Sequence, residues 1–202
     1  MRYFRQRIVK DIVDEGGEAS KYGERIHSFL ETRLKEDTLL PQEVAHYEPL
    51  CSSVERIASD GELFIEKELV LTDNLTPTTW WEADAWLRSK LDILVINGEI
   101  AVVMDWKTGK RNPDFFQMQI FAAQVFKHYP DVTRVKTSLV WLKDMAMDTE
   151  VYYRSDSNAV WAEIMKRIQR INDSLEYDNW PAKPSGLCRY CPARHDCDYA
   201  RV

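Results

Sequence analysis

The chain has 202 residues, of which 45% are apolar, and its formal net charge at pH 7 is −6. This length fits one well-packed domain and argues against two full domains. The acidic balance argues against a protein that coats nucleic acid nonspecifically, because such binding depends on cations that neutralise phosphates.

Two observations concern the compartment. No apolar run approaches the ~20 residues that are needed to span a membrane. The charged start from Met1 to Arg7 lacks the hydrophobic region of a signal peptide. We therefore expect a cytoplasmic protein that makes no membrane contact.

The first half of the chain shows two helical patterns followed by strands. Apolar spacing predicts helices over residues 20–35 and 41–59, and Cys51 lies on the apolar stripe of the second, as a core thiol would. Residues 63–71 have the pattern of a strand, and residues 72–79 that of a polar turn. A long strand is predicted to begin near Trp81 and to run into Asp92.

The second half alternates in the same way. After a hairpin around Asn97-Gly98, we predict a helix over residues 113–128, strands over 135–142 and 149–153, and an amphipathic helix over 156–175. An irregular tail that contains prolines begins at Trp180. We expect one domain over residues 1–202, with N-terminal helices (1–60), a central sheet and helix (61–155), and a C-terminal helix and tail (156–202).

The hairpin carries charges where hydrophobes are expected. Asn97-Gly98 between two β-branched runs favours a type I′ turn. With those two residues as the turn, the numbers of facing residues add to 195, so Asp92 lies opposite Val103 and diagonal to Asp105. Asp92, Asp105 and Lys107 then project from one side of the sheet, whereas Met104 and Trp106 face the opposite, packed side.

These three charged residues have two interpretations. On a surface hairpin they are merely solvated. Dense apolar runs on both strands instead suggest burial on both faces, and buried charges are costly unless a metal ion or a partner compensates them. Diagonal cross-strand neighbours lie roughly 7–8 Å apart, which lets two carboxylates converge on one divalent cation beside the lysine.

At these residues the chain resembles a known family. Asp92 followed by Asp105-Trp106-Lys107-Thr108-Gly109-Lys110 is similar to the core of PD-(D/E)XK nucleases, in the version shared by the RecB nuclease domain and the CRISPR-associated RecB-like exonucleases, phage-type members included. Further matches cover nearly the whole chain in order. They are the Gly-x-x-x-His helix with Gly23 and His27, the glutamate strand with Glu66, the Gln-x-x-x-Tyr helix with Gln117 and with Phe121 in place of tyrosine, and the terminal cysteines Cys188, Cys191 and Cys197.

The resemblance implies a fold and a mechanism. The expected fold is α/β, with a restriction-endonuclease-like core in which helices flank a central mixed β-sheet, and an irregular cysteine-bearing tail. The expected activity is metal-dependent hydrolysis of DNA by an exonuclease acting on ends or single strands. His27, Asp92, Asp105 and the Trp106 carbonyl would bind Mg²⁺ or Mn²⁺, and Lys107 would orient the attacking water.

Other residues have weaker assignments. Glu66 would hold an outer-shell water or a second metal, or form a plain salt bridge. Gln117 would position the DNA strand, and Tyr22 would stack on a base or simply pack. A local positive groove is predicted from the cations Lys90, Lys107, Lys110 and Arg111, each of which also fits an ordinary solvated rim.

The terminal cysteines have the spacing of a metal site, and a disulfide is disfavoured in a reducing cytosol. In the iron–sulfur members of the family a fourth cysteine upstream of the histidine helix completes a [4Fe–4S] cluster. Here Arg2-Tyr3-Phe4-Arg5 resembles the residues that come directly after that cysteine, which favours a start downstream of it, with the cluster lost or held by three ligands. Cys51 is the spare thiol, and His195 with the three tail cysteines would suit tetrahedral zinc.

Three other functions compete with the exonuclease. A structure-specific endonuclease would cut flaps or junctions. A nonenzymatic nucleic-acid-binding or assembly module with a vestigial nuclease core gives no reason to keep His27, Asp92, Asp105 and Lys107. A metal sensor that uses the terminal cysteines leaves the hairpin charges unexplained. As partners we expect DNA and a recombination or helicase protein, in DNA repair or recombination.

Overall fold

The computed structural model describes residues 3–13 and 16–200. Its helices and strands follow the predicted order. The helices are α1 (Glu18–Glu36), α2 (Glu48–Ile57), α3 (Phe116–His128) and α4 (Ser157–Glu176), and the strands are β1 (Glu62–Leu71), β2 (Pro77–Thr78), β3 (Leu87–Asn97), β4 (Ile100–Lys107), β5 (Arg134–Trp141) and β6 (Ala146–Tyr153). None of the helices described is long and apolar enough to cross a membrane.

The six strands form one sheet in the order β2-β1-β3-β4-β5-β6. Strands β4 and β5 pair in parallel, and the other neighbours are antiparallel. The parallel pair arises because α3 connects β4 to β5, which lets the chain return to the same end of the sheet. The predicted mixed sheet flanked by helices is confirmed, and β6 lies at an edge as expected.

Helices cover both faces of the sheet. On one face, α3 packs through Met118, Phe121 and Val125 onto alternate residues of β4 such as Ala101 and Val103. On the other face, residues of α1 and α2 form a second cluster with residues of β3 and β4: Ile26, Leu30, Cys51, Val54, Ile93, Val95, Met104 and Trp106. Met104 and Trp106 therefore face the packed side, as predicted.

The register of the β3–β4 hairpin differs from the prediction. Asn97 pairs with Ile100 and Leu94 with Val103, so facing numbers add to 197, and the turn is Gly98-Glu99. Gly98 has φ +54°, whereas Asn97 is not among the residues with positive φ. A type I′ turn needs positive φ at both central residues, so glycine at the first central position fits a type II′ turn instead. The shift is two residues, which leaves the side chains within the β3–β4 ladder on their predicted faces.

Two predicted elements begin later than expected. The helix predicted over residues 41–59 is a 3₁₀ segment (Gln42–Tyr47) followed by α2. Pro49 in the first turn of α2 has no N–H to continue the earlier turn, which explains the break. The strand predicted from Trp81 begins only at Leu87, because residues 79–86 form an irregular loop. Cys51 is fully buried in the core, as its position on α2 predicts.

By compactness the chain divides into two units, Met1–Glu18 with Met165–Val202, and Ala19–Ile164. The second unit contains the whole sheet. In the first unit, the ring of Trp180 lies 5.1 Å from that of Phe4 and 6.0 Å from that of Tyr3. Arg5 pairs with Asp11 at 2.9 Å and with Asp196 at 3.7 Å, so the N-terminal segment contacts the cysteine-bearing tail.

Candidate active site

The predicted site lies where β3 and β4 part. Their ladder ends at the pair Ile93 and Met104. Immediately beyond it, Oδ2 of Asp92 accepts a hydrogen bond of 2.7 Å from the main-chain N–H of Trp106. The Asp92 side chain thus accepts a hydrogen bond from a main-chain N–H that has no partner in the β3–β4 ladder. This contact holds the Asp92 carboxylate between the two strands.

His27 approaches this carboxylate from α1. Its Nδ1 lies 3.6 Å from Oδ2 of Asp92. Contact with the Asp92 carboxylate raises the pKa of His27 against the opposing effect of burial, and Asp105 and the main chain of Trp106 raise it further. The predicted proximity of His27 to the hairpin acids is therefore observed, whereas its role as a metal ligand stays a prediction.

Asp105 is the most buried charged group of the site, with 5% of the residue exposed. Burial raises its pKa to about 6, the charge of Asp92 adds to the rise, and Lys107 opposes it. Oδ1 accepts a hydrogen bond of 3.0 Å from Nε2 of Gln117. Oδ2 forms an ion pair with Lys107 but has no hydrogen-bond partner of acceptable geometry.

Gln117 connects the acid to the lysine. Its side-chain oxygen accepts a hydrogen bond of 2.9 Å from Nζ of Lys107, while its amide nitrogen donates to Asp105. The residue lies in the first turn of α3, and Lys107 is the last residue of β4. Asp105 and Lys107 thus project from the same face of β4, as the alternation of strand side chains requires.

Gly23 has a steric role in α1. A Cβ atom added there would lie 2.9 Å from Oγ1 of Thr108, the residue after Lys107. The absence of a side chain lets α1 approach the end of β4, and His27 follows one turn later on the same helix face. The glycine of the Gly-x-x-x-His pattern is therefore explained by this close approach.

Glu66 lies at the same level of the sheet. The pairs Ile65 with Ile93 and Lys67 with Leu91 place it opposite Asp92. Its φ of +56° is unusual for a residue with a side chain, and strained backbone of this kind clusters at functional sites. Its carboxylate forms an ion pair of 2.5 Å with Lys90. The salt-bridge alternative is thus what the structure shows, and a role in metal binding stays a prediction.

The strands change faces at this level. Leu63 and Ile65 of β1 pack on the side of α1 and α2, whereas Leu69 packs on the side of α3. On β3, Ile93 likewise packs on the side of α1 and α2, and Leu91 on the side of α3. In a regular strand all odd-numbered side chains lie on one face. Here odd-numbered residues on the two sides of Glu66 and of Asp92 lie on opposite faces, so the alternation of β1 and β3 is interrupted at these two residues.

The predicted cations have different surroundings. Lys90, Lys107 and Lys110 line one cavity of about 740 Å³. Arg111 does not line it; its guanidinium contacts the carboxylate of Asp148 through two nitrogens, which lowers the pKa of that carboxyl. The prediction that Arg111 lines a groove with these lysines is therefore wrong, because it lies outside their cavity and pairs with Asp148 on β6.

Tyr22 and Arg88 lie near the predicted site in different settings. Tyr22 is 39% exposed and contacts Tyr47, whose pKa is raised by burial and by this neighbour. Stacking of Tyr22 on a base stays a prediction. Arg88 lines the same cavity as Lys90, and sequence reasoning missed it although it precedes that lysine by two residues on β3.

The donors of this site fit a divalent cation. One imidazole nitrogen, two carboxylates and a carbonyl are hard or borderline donors of the kind that Mg²⁺ and Mn²⁺ prefer. Oδ2 of Asp105 is buried and accepts no hydrogen bond, so its lone pairs are available to bind such an ion. In the part of the chain that the structure describes, no three His, Cys, Asp or Glu side chains are already spaced as a metal cage. Asp105 itself contacts Lys107 and Gln117.

The tail cysteines lie together in the first unit. Cys188, Cys191 and Cys197 line one cavity of about 290 Å³. The main-chain N–H of Ser185 donates to Sγ of Cys188 at 3.3 Å. Cys51 belongs instead to the core cluster of α1 and α2, where burial raises its thiol pKa to about 11.

His195, the suggested fourth zinc ligand, has another contact. Its Nε2 accepts a hydrogen bond of 3.1 Å from Nε of Arg194. That nitrogen is one of the two through which imidazole binds zinc. Zinc coordination by His195 through Nε2 would therefore displace Arg194, and the assignment stays a prediction.

The fold and the arrangement of Asp92, Asp105 and Lys107 define a restriction-endonuclease-like α/β protein. The sequence model of the PD-(D/E)XK nuclease superfamily matches residues 1–198. The chain belongs to this superfamily. A search of curated proteins found no relative of significant sequence similarity.

Solved structures of similar fold were also found. The crystal structure of SSO0001 superposes with a TM-score of 0.54 at 11% sequence identity, covering 100% of this chain and 82% of that one. A candidate exonuclease from Eubacterium rectale gives a TM-score of 0.46 at 12% identity, covering 93% of this chain and 84% of its own. At such identities the first likeness supports the fold alone.

Proposed function

We propose that the protein is a metal-dependent deoxyribonuclease, and specifically an exonuclease that hydrolyses phosphodiester bonds at DNA ends or in single strands. The observation that carries this proposal is the contact of buried Asp105 with both Lys107 and Gln117, beside Asp92. Superfamily membership supports a nuclease, and divalent cations are typical of that superfamily.

The proposed metal ligands are His27, the carboxylates of Asp92 and Asp105, and the main-chain carbonyl of Trp106. Mg²⁺ or Mn²⁺ bound there would polarise the scissile phosphate and lower the pKa of a bound water. The carboxylates face each other across the end of the β3–β4 ladder. Two negative charges in this partly buried position repel each other and so favour a cation between them.

Lys107 is the proposed catalytic cation. Its Nζ is held by the side-chain oxygen of Gln117 and by Asp105, which points it at the same place as the carboxylates. From there it would orient the attacking water, help remove its proton, and offset the negative charge that develops on the phosphate oxygens. Gln117 would in turn position the DNA strand, and Glu66 would hold an outer-shell water or a second metal.

The proposal extends to the periphery of the site and to the tail. Lys110 and Tyr22 are proposed to contact DNA, by a phosphate and by a base respectively. Cys188, Cys191 and Cys197 are proposed to bind a [4Fe–4S] cluster or Zn²⁺, because they share one cavity. Iron and zinc analysis of anaerobically purified protein tests whether these cysteines bind a metal. The resemblance to RecB-type nucleases also supports a cytoplasmic role in DNA repair or recombination, with a helicase or recombination protein as partner.

The test of the main proposal is a time course of cleavage with Mn²⁺. Single-stranded and double-stranded DNA labelled at one end serve as substrates, beside a closed circular DNA. We expect progressive shortening of the linear substrates, loss of activity in Lys107→Ala and Asp92→Asn, and full activity in Lys143→Ala, which changes an exposed lysine of the β5–β6 turn.

Each other outcome has a defined meaning. Cleavage of the circular DNA would identify an endonuclease instead. Binding of DNA without cleavage would favour the vestigial module. Activity that survives Lys107→Ala or Asp92→Asn would contradict the assigned site.

A further inference from the structure

A groove runs along the part of β3 that lies beyond its ladder with β4. Residues 87–90 of this strand line it, together with the first turns of α3 and the segment after Lys107. Its cationic lining residues are Arg88, Lys90, Lys107 and Lys110. We call this cavity of about 740 Å³ the β3 groove.

The β3 groove is not lined by cations alone. Apolar and aromatic side chains also line it: Phe116 and Ile120 are partly exposed, whereas Phe121, Leu139 and Trp141 are buried behind them. A groove for a duplex backbone alone needs cations and hydrogen-bond donors. The exposed parts of Phe116 and Ile120 instead suit the flat faces of unpaired bases, which are hidden in a duplex.

The loop of residues 79–86, which we call the tryptophan loop, is joined to this groove through Arg88. Nε of Arg88, on the groove wall, donates a hydrogen bond of 2.8 Å to the carbonyl of Trp80. The main-chain N–H of Trp86 donates to the carbonyl of Leu71 at 2.9 Å, which fixes the other end of the loop. Between these anchors, Trp81 is 90% exposed. A large aromatic side chain is thus presented to solvent on a fixed backbone, next to a groove-lining arginine.

We propose that the β3 groove and Trp81 bind single-stranded nucleic acid, with Trp81 stacked on an unpaired base and Arg88 and Lys110 contacting phosphates. This inference rests on the proposed nuclease function and specifies its substrate as an unpaired strand that leads into the site. Proteins that bind single strands without sequence preference combine a cationic groove with exposed aromatic side chains on which bases stack.

The other charges near the groove are of both signs, and the acidic Asp114 also lines it. Lys90 is already paired with Glu66, so it contributes less positive potential than Arg88 and Lys110. The loop also carries Glu82 and Asp84, whose carboxylates lie 3.5 Å from the hydroxyls of Thr79 and Thr78. These acids would repel phosphates, so Trp81 is expected to act on bases, by stacking, while the cations hold the backbone at the groove.

The test is the affinity for a fluorescein-labelled oligonucleotide, measured by fluorescence anisotropy in EDTA so that no hydrolysis occurs. We expect Trp81→Ala to weaken binding of the single strand roughly tenfold, which corresponds to about 1.4 kcal/mol, and to leave duplex binding unchanged. Trp81→Leu, which keeps the apolar bulk, should show the same loss, and Trp81→Phe should restore most of the affinity. Leu39→Ala removes another highly exposed apolar side chain and serves as the matched control.

The inference is overturned if Trp81→Ala binds the single strand within twofold of the wild type, or if its loss is equal for the duplex. An unaffected variant in a protein that still cleaves DNA would leave the nuclease function intact and would make the tryptophan loop a candidate surface for a protein partner. A wild-type protein that neither binds nor cleaves DNA would instead refute the proposed function itself.

Discussion

Replacement of Asp105 by asparagine should abolish cleavage and at the same time stabilise the metal-free protein. Asp105 is 5% exposed and lies beside the carboxylate of Asp92, and these two features raise its pKa to about 6 even though Lys107 lies next to it. Asparagine has the shape of a protonated carboxyl group and carries no charge. The variant therefore keeps the contact with Gln117 but avoids the cost of an ionised buried group.

The size of the gain can be calculated from the pKa. A rise from the ordinary value of 3.8 to about 6 corresponds to about 3 kcal/mol between the neutral and the ionised forms. Because the folded pKa is the higher one, the ionisation of Asp105 costs no stability below about pH 4. As the pH rises from about 4 through about 6, the wild type loses this amount, about 3 kcal/mol. For a chain of this length, the full difference at pH 7.5 corresponds to roughly 6–12 °C in the unfolding midpoint.

The assay is thermal unfolding of wild type and Asp105→Asn in EDTA at several pH values, followed by the cleavage time course. The variant should unfold at a higher temperature than the wild type at pH 7.5, and the gap should close towards pH 4. Asp148→Asn is the matched control with the opposite sign, because contact with Arg111 lowers the pKa of Asp148 and its loss should destabilise the protein at neutral pH. An Asp105→Asn variant less stable than the wild type at pH 7.5 would refute this account of the site.

Three further predictions concern other parts of the chain. Gly23→Ala should lower the cleavage rate roughly threefold to tenfold, because its Cβ would lie 2.9 Å from Oγ1 of Thr108, and Thr108→Ala in the same chain should restore the rate. The thiol of Cys51 is fully buried and its pKa is raised to about 11. In the folded protein in EDTA, Ellman's reagent should therefore react with the three partly exposed tail cysteines, and with Cys51 only after denaturation. Rapid reaction of all four thiols would contradict this. Arg154 donates hydrogen bonds to three main-chain carbonyls at the end of α3 and beyond. Arg154→Ala should therefore lower the free energy of unfolding, measured in urea, by about 3 kcal/mol. The control Arg134→Ala, at an exposed strand position, should lower it by less than about 0.5 kcal/mol.

The hairpin illustrates how far local sequence patterns predict a site. The apolar alternation predicts Asp105 and Lys107 on one face and Trp106 on the other, and the structure agrees. The predicted facing pairs are wrong by two residues, because Asn97-Gly98 favours a type I′ turn while only Gly98 of the two adopts a positive φ. Faces depend on parity and survive such a shift, whereas contacts between particular residues do not.

Other features required long-range information. The tryptophan loop delays β3 to Leu87, although it contains Trp80, Trp81 and Trp86, and tryptophan is a residue type enriched in strands. Arg111 has the sequence position of a groove cation, and only the pairing of β5 with β6 reveals Asp148 as its partner. Arg111 and Asp148 are 37 positions apart, and local patterns carry no record of their contact.

The position of the site is determined by the sheet itself. Where two paired strands part, their main-chain groups lose their partners, and each must find another. Here the N–H of Trp106 finds the carboxylate of Asp92, at the level where β1 and β3 reverse their alternation and where Glu66 has a positive φ. The same carboxylate lies 3.6 Å from His27. The Asp92 carboxylate can therefore be partly buried here, because the end of the ladder supplies a donor that a continuous sheet would have used.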